Sequence, residues 1–412
     1  MTSNLNNRRA FLGAVAAGAT GGLLAKTLGP SSAASAASLP SRSSEYLIAD
    51  GVTYMNTGTI GPCRRETVNA SIDAWEELES MPVKFYGVQG AEALAEKTRT
   101  AAARFLGCDL DEIVITSSTT NGMNAVAQGL RLAPGDRILI TDQEHSGGLH
   151  CWKYFEKYYG AKIDIIPIRH GDFNAETIVE KFARAIGKKT KLISVSHVFS
   201  STGLRMPVAE ISALARANGA FCIVDGAQAA GAIAVNVREL GCHAYATSGH
   251  KWLMGPKGTG LLYISKDAQA AIRPIQFDDS YKTYNNGNGV VNLPCILGLA
   301  KAIEYLESVG VRNVEEHNMA IRNRLYEKLR NTPNLSIVSP PPGPLASPML
   351  TLLLSEKFPR QVFVKMLLEK HKISIRPTHP EFGFNGIRFS MHTFNTANEI
   401  DAAAAVLQSE LA

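Results

Sequence analysis

The sequence has no pair of cysteines at a Cys-x-x-Cys spacing, and no cysteine at all after Cys295. Its six cysteines, at 63, 108, 151, 222, 242 and 295, are scattered, which argues against a thiol redox motif or a sulfur-ligated metal. There is no run of Lys or Arg. The net charge is +5, but Arg8, Arg9 and Lys26 stand in the first 36 residues, which hold no acid, so +2 remains for the rest. That balance excludes a nucleic-acid surface. No Gly-x-Gly-x-x-Gly turn follows an early strand, which excludes the usual dinucleotide cradle. Beyond about Leu28 nothing is long and apolar enough to cross a membrane.

What is present is a chain of 412 residues with 45% hydrophobic content, enough for a large core and two domains. It opens with Asn7-Arg8-Arg9-Ala10-Phe11-Leu12-Gly13 and an Ala/Gly/Leu stretch. A twin arginine before Phe-Leu and a mildly apolar segment predicts an export signal of the twin-arginine type over residues 1–36, with Ala34-Ser35-Ala36 as a cleavage site. The competing reading is a short membrane anchor. Export implies a periplasmic or secreted protein without a stable membrane span once the signal is removed. Folding in a reducing cytosol first would leave the cysteines as free thiols, with Cys222, inside an apolar run, a small buried hydrophobe.

Residues 37–60 form a Ser-rich N-terminal segment. From about 90 the pattern alternates helix and short apolar strand. Strands are predicted at Ile113–Thr116, Arg137–Thr141, Ile163–Ile166, Leu192–Ser196, Phe221–Asp225, Ala244–Thr247 and Gly260–Ile264. Helical crossovers between strands imply an α/β fold with a mainly parallel sheet covered on both faces, assigned to residues 61–297. Helices at Gly298–Val309 and Asn313–Arg330 would lead out of it. After Pro340-Pro341-Pro342-Gly343-Pro344 come strands at Met349–Leu354, Ile373–Arg376 and Gly386–Ser390, with helices at Pro359–His371 and from Thr396. Residues 298–412 therefore read as a smaller α+β domain, with the N-terminal segment packed near it.

The chemistry concentrates in two blocks. Val224-Asp225-Gly226-Ala227-Gln228 ends an apolar run, and Ser248-Gly249-His250-Lys251-Trp252 follows about twenty residues on, in a Gly-rich stretch. A lysine amine there can condense with the aldehyde of pyridoxal 5'-phosphate (PLP). An aspartate can pair with the pyridinium nitrogen and keep the ring an electron sink. A carboxylate at a strand's C-terminal end faces the ligand crevice of an open α/β sheet. Thr119-Thr120-Asn121-Gly122 opens a helix directly after a strand, where free N–H groups suit a phosphate.

These blocks resemble the class V aminotransferase family of fold type I PLP enzymes, in the isopenicillin N epimerase-like branch, with cysteine desulfurases as more distant cousins. The resemblance runs from about Tyr54 to the C-terminus. It implies that Lys251 carries the cofactor, that Asp225 pairs with the ring nitrogen and Gln228 with the phenolic oxygen. It implies that Thr119, Thr120, Ser248 and His250 hold the phosphate, and that His145 stacks on the ring and moves protons. Arg388, in Gly386-Ile387-Arg388-Phe389-Ser390, matches the arginine for the substrate α-carboxylate. The family also implies a homodimer. No metal is expected.

Three positions depart from the pattern. Ser200 stands where cysteine desulfurases carry an asparagine beside the cofactor. Val290 stands where the family usually has a threonine that reaches the partner's phosphate, and Val290 has no hydroxyl. Arg376-Pro377-Thr378-His379-Pro380 falls where desulfurases carry the persulfide cysteine. The expected function is therefore PLP chemistry at the α-carbon of an amino acid, or of an amino-acid moiety of a metabolite. Epimerisation or transamination is favoured over a desulfurase-like C–S lyase. Epimerisation would need an acid on the second face, with Tyr86, His145 and His379 candidates by residue type.

Overall fold

The computed structural model describes residues 45–83, 88–277, 280–282 and 287–412. The export signal and Tyr86 lie outside the described residues. The chain enters through β1 (Thr53–Tyr54) and two helices, α1 (Arg65–Ser80) and α2 (Val88–Leu106). Seven strands then build one sheet: β2 (Ile113–Thr116), β3 (Arg137–Thr141), β4 (Lys162–Ile166), β5 (Thr190–Ser196), β6 (Phe221–Asp225), β7 (Ala244–Ser248) and β8 (Gly260–Ile264). Their spatial order is β2-β8-β7-β6-β5-β3-β4. The β4-β3-β5-β6-β7 pairings are parallel, and β8 runs against both β7 and β2.

Parallel strands need crossovers. These are supplied by α3 (Thr119–Gly129), α4 (Ser146–Tyr159), α5 (Ala175–Ala185) and α6 (Val208–Ala217). Helices on both faces explain why the central strands read as continuous apolar runs. Alternate residues enter different cores: Ile113, Ile115, Val195, Cys222, Val224 and Leu261 join one cluster, while Val114, Ile140, Ile223, Ala246 and Leu262 join the other. Side-chain caps start several helices. The Ser118 hydroxyl accepts the Asn121 N–H at the head of α3, and the Asn174 side chain accepts the Thr177 N–H at the head of α5.

The next helix differs from its sequence reading. After a four-residue helical turn α7 (Val237–Leu240), α8 spans Leu293–Val309 and packs on α1 and α2, rather than starting at Gly298 and leading away. The Asn292 side chain caps it and Pro294 occupies its first turn, which sets the earlier start. From α9 (Val311–Leu329) the chain forms a second sheet of β9 (Leu335–Ile337) and β10 (Met349–Leu354), a helix α10 (Arg360–His371), and then β11 (Ile373–Ser374), β12 (Arg376–Pro377), β13 (Gly386–Ser390) and α11 (Ala397–Leu411). The four-stranded order is β12-β13-β10-β9, all antiparallel.

The single strand expected at Ile373–Arg376 is two. β11 pairs in parallel with β1, and β12 pairs with β13. Pro377 cannot donate a ladder hydrogen bond, which suits its place on the outer strand of that sheet. The N-terminal segment thus contributes a strand here, and Met55 is buried in the same core as Leu350, Leu352, Ile387 and Phe389. The whole is an α/β arrangement: a large, mainly parallel sheet with a smaller α+β unit. Among the described residues no helix is long and apolar enough to cross a membrane.

Candidate active site

Three strand ends of the large sheet converge on a cavity of about 240 Å³, closed from the other side by β12 and β13. Asp225 ends β6, Ser248 ends β7, and His145 follows β3 as the cap of α4. Thr119, Thr120, His145, Asp225, Gln228, Ser248, His250, Lys251 and Arg388 all line this cavity. Lys257, the near rival to Lys251, does not. It is exposed, and its Nζ donates to the Gly61 carbonyl at 3.0 Å.

Lys251 is half-buried, and its amine makes no hydrogen bond or ion pair with any described residue. Burial pushes the ammonium down to about 8; Asp225 pulls it up, and Arg388 and Arg376 push it down further. Asp225 is 7% exposed, and its Oδ1 accepts the Ala227 N–H at 2.9 Å. Burial raises its pKa and Lys251 opposes that rise.

One end of the cavity suits a phosphate. The Thr119 N–H, at the head of α3, donates to Ser248 Oγ at 3.0 Å, and the two side-chain hydroxyls lie 2.7 Å apart. Thr120 is exposed at the rim. Burial holds His250 down to about 4, with Lys251 and Lys257 adding to the push.

The wall beside His145 is shaped by two glycines. A Cβ on Gly147 would fall 2.6 Å from Thr120 Oγ1, and one on Gly148 would fall 2.6 Å from Asp225 Oδ2. Glycine alone lets the head of α4 come this close to the carboxylate. The Gly147 N–H donates to His145 Nδ1 at 3.1 Å. Burial, then Lys251 and both arginines, hold this imidazole down to about 4, so at neutral pH it is the Nε2–H tautomer. His150 is exposed and does not line the cavity.

Gln228 is oriented on both sides. Its Nε2 donates to the Gly58 carbonyl at 2.9 Å, and its Oε1 accepts the Trp252 indole N–H at 2.8 Å. One N–H of the amide is left for a ligand. Arg388, 3% exposed in the middle of β13, donates from Nη1 to the Ser200 carbonyl and from Nη2 to Thr59 Oγ1, both at 3.0 Å. Its Nε is buried without a partner, as is the Ser200 hydroxyl. Burial pushes this guanidinium down to about 9.

The segment at the expected persulfide position lines the cavity through Arg376, Pro377, Thr378 and His379, and none of the six cysteines does. All six are unpaired, and Cys222 is fully buried. Val290 is 69% exposed, away from the cavity. No described group of His, Cys, Asp and Glu is arranged to hold a metal.

Four contributors were not legible in the sequence. Trp252 sits beside Lys251 but reads as an apolar neighbour. Gly58 and Thr59 lie in a segment with no motif. Glu144, next to His145, accepts hydrogen bonds from Thr141 Oγ1, the Ser196 N–H and Ser196 Oγ at 2.6–2.8 Å. Desolvation of that carboxylate outweighs those bonds and pushes it up to about 7, although the residue as a whole is half-buried. A polar residue following a strand end was the one available signal.

The residues fit PLP. They offer an unpaired amine lining the cavity, a buried carboxylate with a free oxygen, a helix head with two hydroxyls, and a glycine-cleared wall. Comparison with known proteins agrees. The family model described as Aminotransferase class-V matches residues 84–403. The isopenicillin N epimerase of Amycolatopsis lactamdurans is 27% identical over 387 residues, covering 87% of this chain and 94% of its own. A probable cysteine desulfurase of Halalkalibacterium halodurans is 29% identical over 344 residues, covering 77% and 82%. Among solved structures, a mutant of the cystine C–S lyase C-DES with glycine covalently linked to its PLP cofactor superposes with a TM-score of 0.78 at 25% identity, over 87% of this chain and 96% of that one. The apo cysteine desulfurase of Thermococcus onnurineus gives 0.77 at 26%, over 89% and 96%.

Proposed function

The chain belongs to the class V aminotransferase family, and on that premise we propose that it removes the α-proton of an amino acid, or of an amino-acid moiety of a metabolite. Its cofactor is PLP, which when bound supplies the sink for the electron pair left at the α-carbon. The observation that carries the reading is the Lys251 amine, unpaired in the cavity and depressed to about 8. An amine with that pKa is a competent general base near neutral pH.

The other roles follow from the walls. Asp225, buried with one oxygen unused, would hold a proton on the ring nitrogen through charge pairing, in a site where little water weakens it. Gln228 presents its remaining N–H to the phenolic oxygen, held from flipping by Trp252 and Gly58. Thr119, Thr120, Ser248 and His250 bind phosphate. His145 is neutral, would pack against the cofactor in this cavity and offers Nε2–H as a donor. Arg388 grips the α-carboxylate through its unused N–H groups, which orients the α-carbon toward Lys251 Nζ.

Epimerisation and transamination are the favoured outcomes. The cavity has no cysteine to accept sulfur, and Arg376 to His379 occupy the wall where a desulfurase needs one. Elimination without a persulfide is the second reading, supported by the likeness to the cystine C–S lyase C-DES. Incubating the loaded enzyme with amino acids in deuterated water tests all three. Exchange with mixed stereochemistry means epimerase, a keto product means transaminase, and release of a β-substituent with ammonia means lyase. Decarboxylation without α-hydrogen exchange overturns the scheme.

Two further parts belong to this proposal. Arg8 and Arg9 before Phe11-Leu12 support twin-arginine export to the periplasm or beyond; equal secretion of an Arg8→Lys, Arg9→Lys variant would refute it. The exposed apolar patch of Leu47, Ile72 and Trp75 beside Pro256 supports a homodimer, and a monomer in sedimentation would refute that.

A further inference from the structure

We propose that Arg376 is a specificity residue that binds a second carboxylate on the substrate, so that the site selects amino acids with an acidic side chain. This rests on the reading of Arg388 as the α-carboxylate residue and extends it to the substrate class.

The argument starts from an unfavourable placement. The β12–β13 pairing sets Arg376 directly across from Arg388. Like charges directly opposite in an antiparallel pair are destabilising. Both guanidinium groups turn to the same acceptor, Thr59 Oγ1, at 3.4 Å from Arg376 Nη1 and 3.0 Å from Arg388 Nη2. No described carboxylate pairs with either. Glu381, the acid whose charge Arg376 feels, lies instead 3.4 Å from His379. Arg388 Nε is buried with no partner. Two adjacent, unneutralised arginines in one cavity wall are a structure that waits for anions.

The charge balance of the cavity says how many. Its walls carry Lys251, Arg376 and Arg388 against one carboxylate, Asp225. Asp225 answers the ring nitrogen, Lys251 carries the cofactor, and a phosphate has its own seat at Thr119 and Ser248. His145 feels both arginines, whereas His250 at the phosphate seat feels Lys251 and Lys257, so the arginines serve the other end. One α-carboxylate answers Arg388 and leaves Arg376 unmatched. Arg376 is half-buried on the outermost strand, with Phe382 and the exposed His379 beside it. That is where the side chain of an amino acid held by Arg388 would project toward the mouth.

Unreactive acids test this without turnover. Succinate, glutarate and butyrate are titrated calorimetrically into the PLP-loaded enzyme. Succinate or glutarate is expected to bind at least about tenfold more tightly than butyrate, the size of a charge-assisted contact. Arg376→Gln should bring the diacids within about twofold of butyrate, with PLP content and thermal midpoint retained. Arg376→Lys should keep part of the preference. Three results overturn the proposal: wild type binds butyrate as tightly as both diacids, Arg376→Gln keeps the preference, or Arg376→Gln weakens butyrate as much as the diacids. The last would mean that both arginines grip one carboxylate. Failure of the wild type to take up PLP would sink the functional reading instead, and the same titrations on the apoprotein would still decide the role of Arg376.

Discussion

The depressed pKa of Lys251 makes cofactor attachment a titration that can be read directly. A solvated lysine titrates near 10.4. The Lys251 ammonium is held at about 8, chiefly by burial. At pH 7 an amine at about 8 is free in roughly one molecule in eleven, so Lys251 has about 230-fold more free amine than a solvated lysine. Apoprotein is mixed briefly with limiting PLP across a pH series, reduced with borohydride and mapped by peptide. Modification of Lys251 should climb about tenfold per pH unit and level off near 8, while surface lysines in the same samples go on climbing by two units more. Asp225→Asn removes the charge that pulls the amine up, so the plateau should move to lower pH. The linkage has a fixed sign. Between about 8 and 10.5 the unfolded chain binds the proton that the native chain has released, so apoprotein stability from this group rises with pH across that window. A Lys251 profile that tracks the surface lysines would refute the reasoning, and so would label at another residue.

Further outcomes follow from individual contacts. Arg388→Ala should weaken carboxylate-bearing substrates by about 1.5–3 kcal/mol in kcat/KM and leave PLP affinity nearly unchanged, with Arg388→Lys recovering part; equal reaction of an amine without a carboxylate in both proteins would make Arg388 structural. Trp252→Phe frees the Gln228 amide to turn over, so the pH at which the bound cofactor changes its visible spectrum should shift while PLP stoichiometry stays at the wild-type level; an unmoved spectrum would deny that Trp252 positions Gln228. Glu144, pushed up to about 7, binds its proton more tightly in the native state, so it costs stability as pH rises from about 4.5 to 7. Thermal midpoints of Glu144→Gln relative to wild type should therefore improve between about pH 5 and 8, by at most roughly 3 kcal/mol, and a constant offset would refute this.

The central strands were legible almost to the residue, because burial on both faces makes each a continuous apolar run with polar ends. The cavity brings Asp225, Lys251 and His145 together; the first two were legible from their chemistry at and just beyond strand ends, whereas His145 was legible only through the family resemblance. Arg376 and Thr59 were not. Their hydrogen bond joins residues 317 apart in sequence, and nothing local marks a threonine in a turn as the acceptor shared by two arginines. The break after Ser374 was hidden for a similar reason. Periodicity reads Ile373–Arg376 as one strand, and only the competing partners, β1 on one side and β13 on the other, divide it. The start of α8 was marked by Asn292 and Pro294, a cap signal that the apolar run beyond Gly298 outweighed.

The short path from Thr57 to Gly61 has a mechanical meaning. The Thr57 N–H is tied to Ser390 of the smaller unit, and the Gly61 N–H is tied to the His250 carbonyl beside the lysine. A Cβ on Gly61 would stand 2.0 Å from the Lys251 carbonyl, so that tie admits no larger residue. The arginine-bearing sheet and the lysine-bearing sheet are thus joined across Gly58, Thr59 and Ile60 between these two anchors, and the chain passes between α8 and α9 at Gly310, whose φ is +86°. Thr59 lies on the first of these links and holds both arginines. A rotation there would carry the anion grip and the opening of the cavity as one movement, so that seizing the acid and shutting out water become the same event.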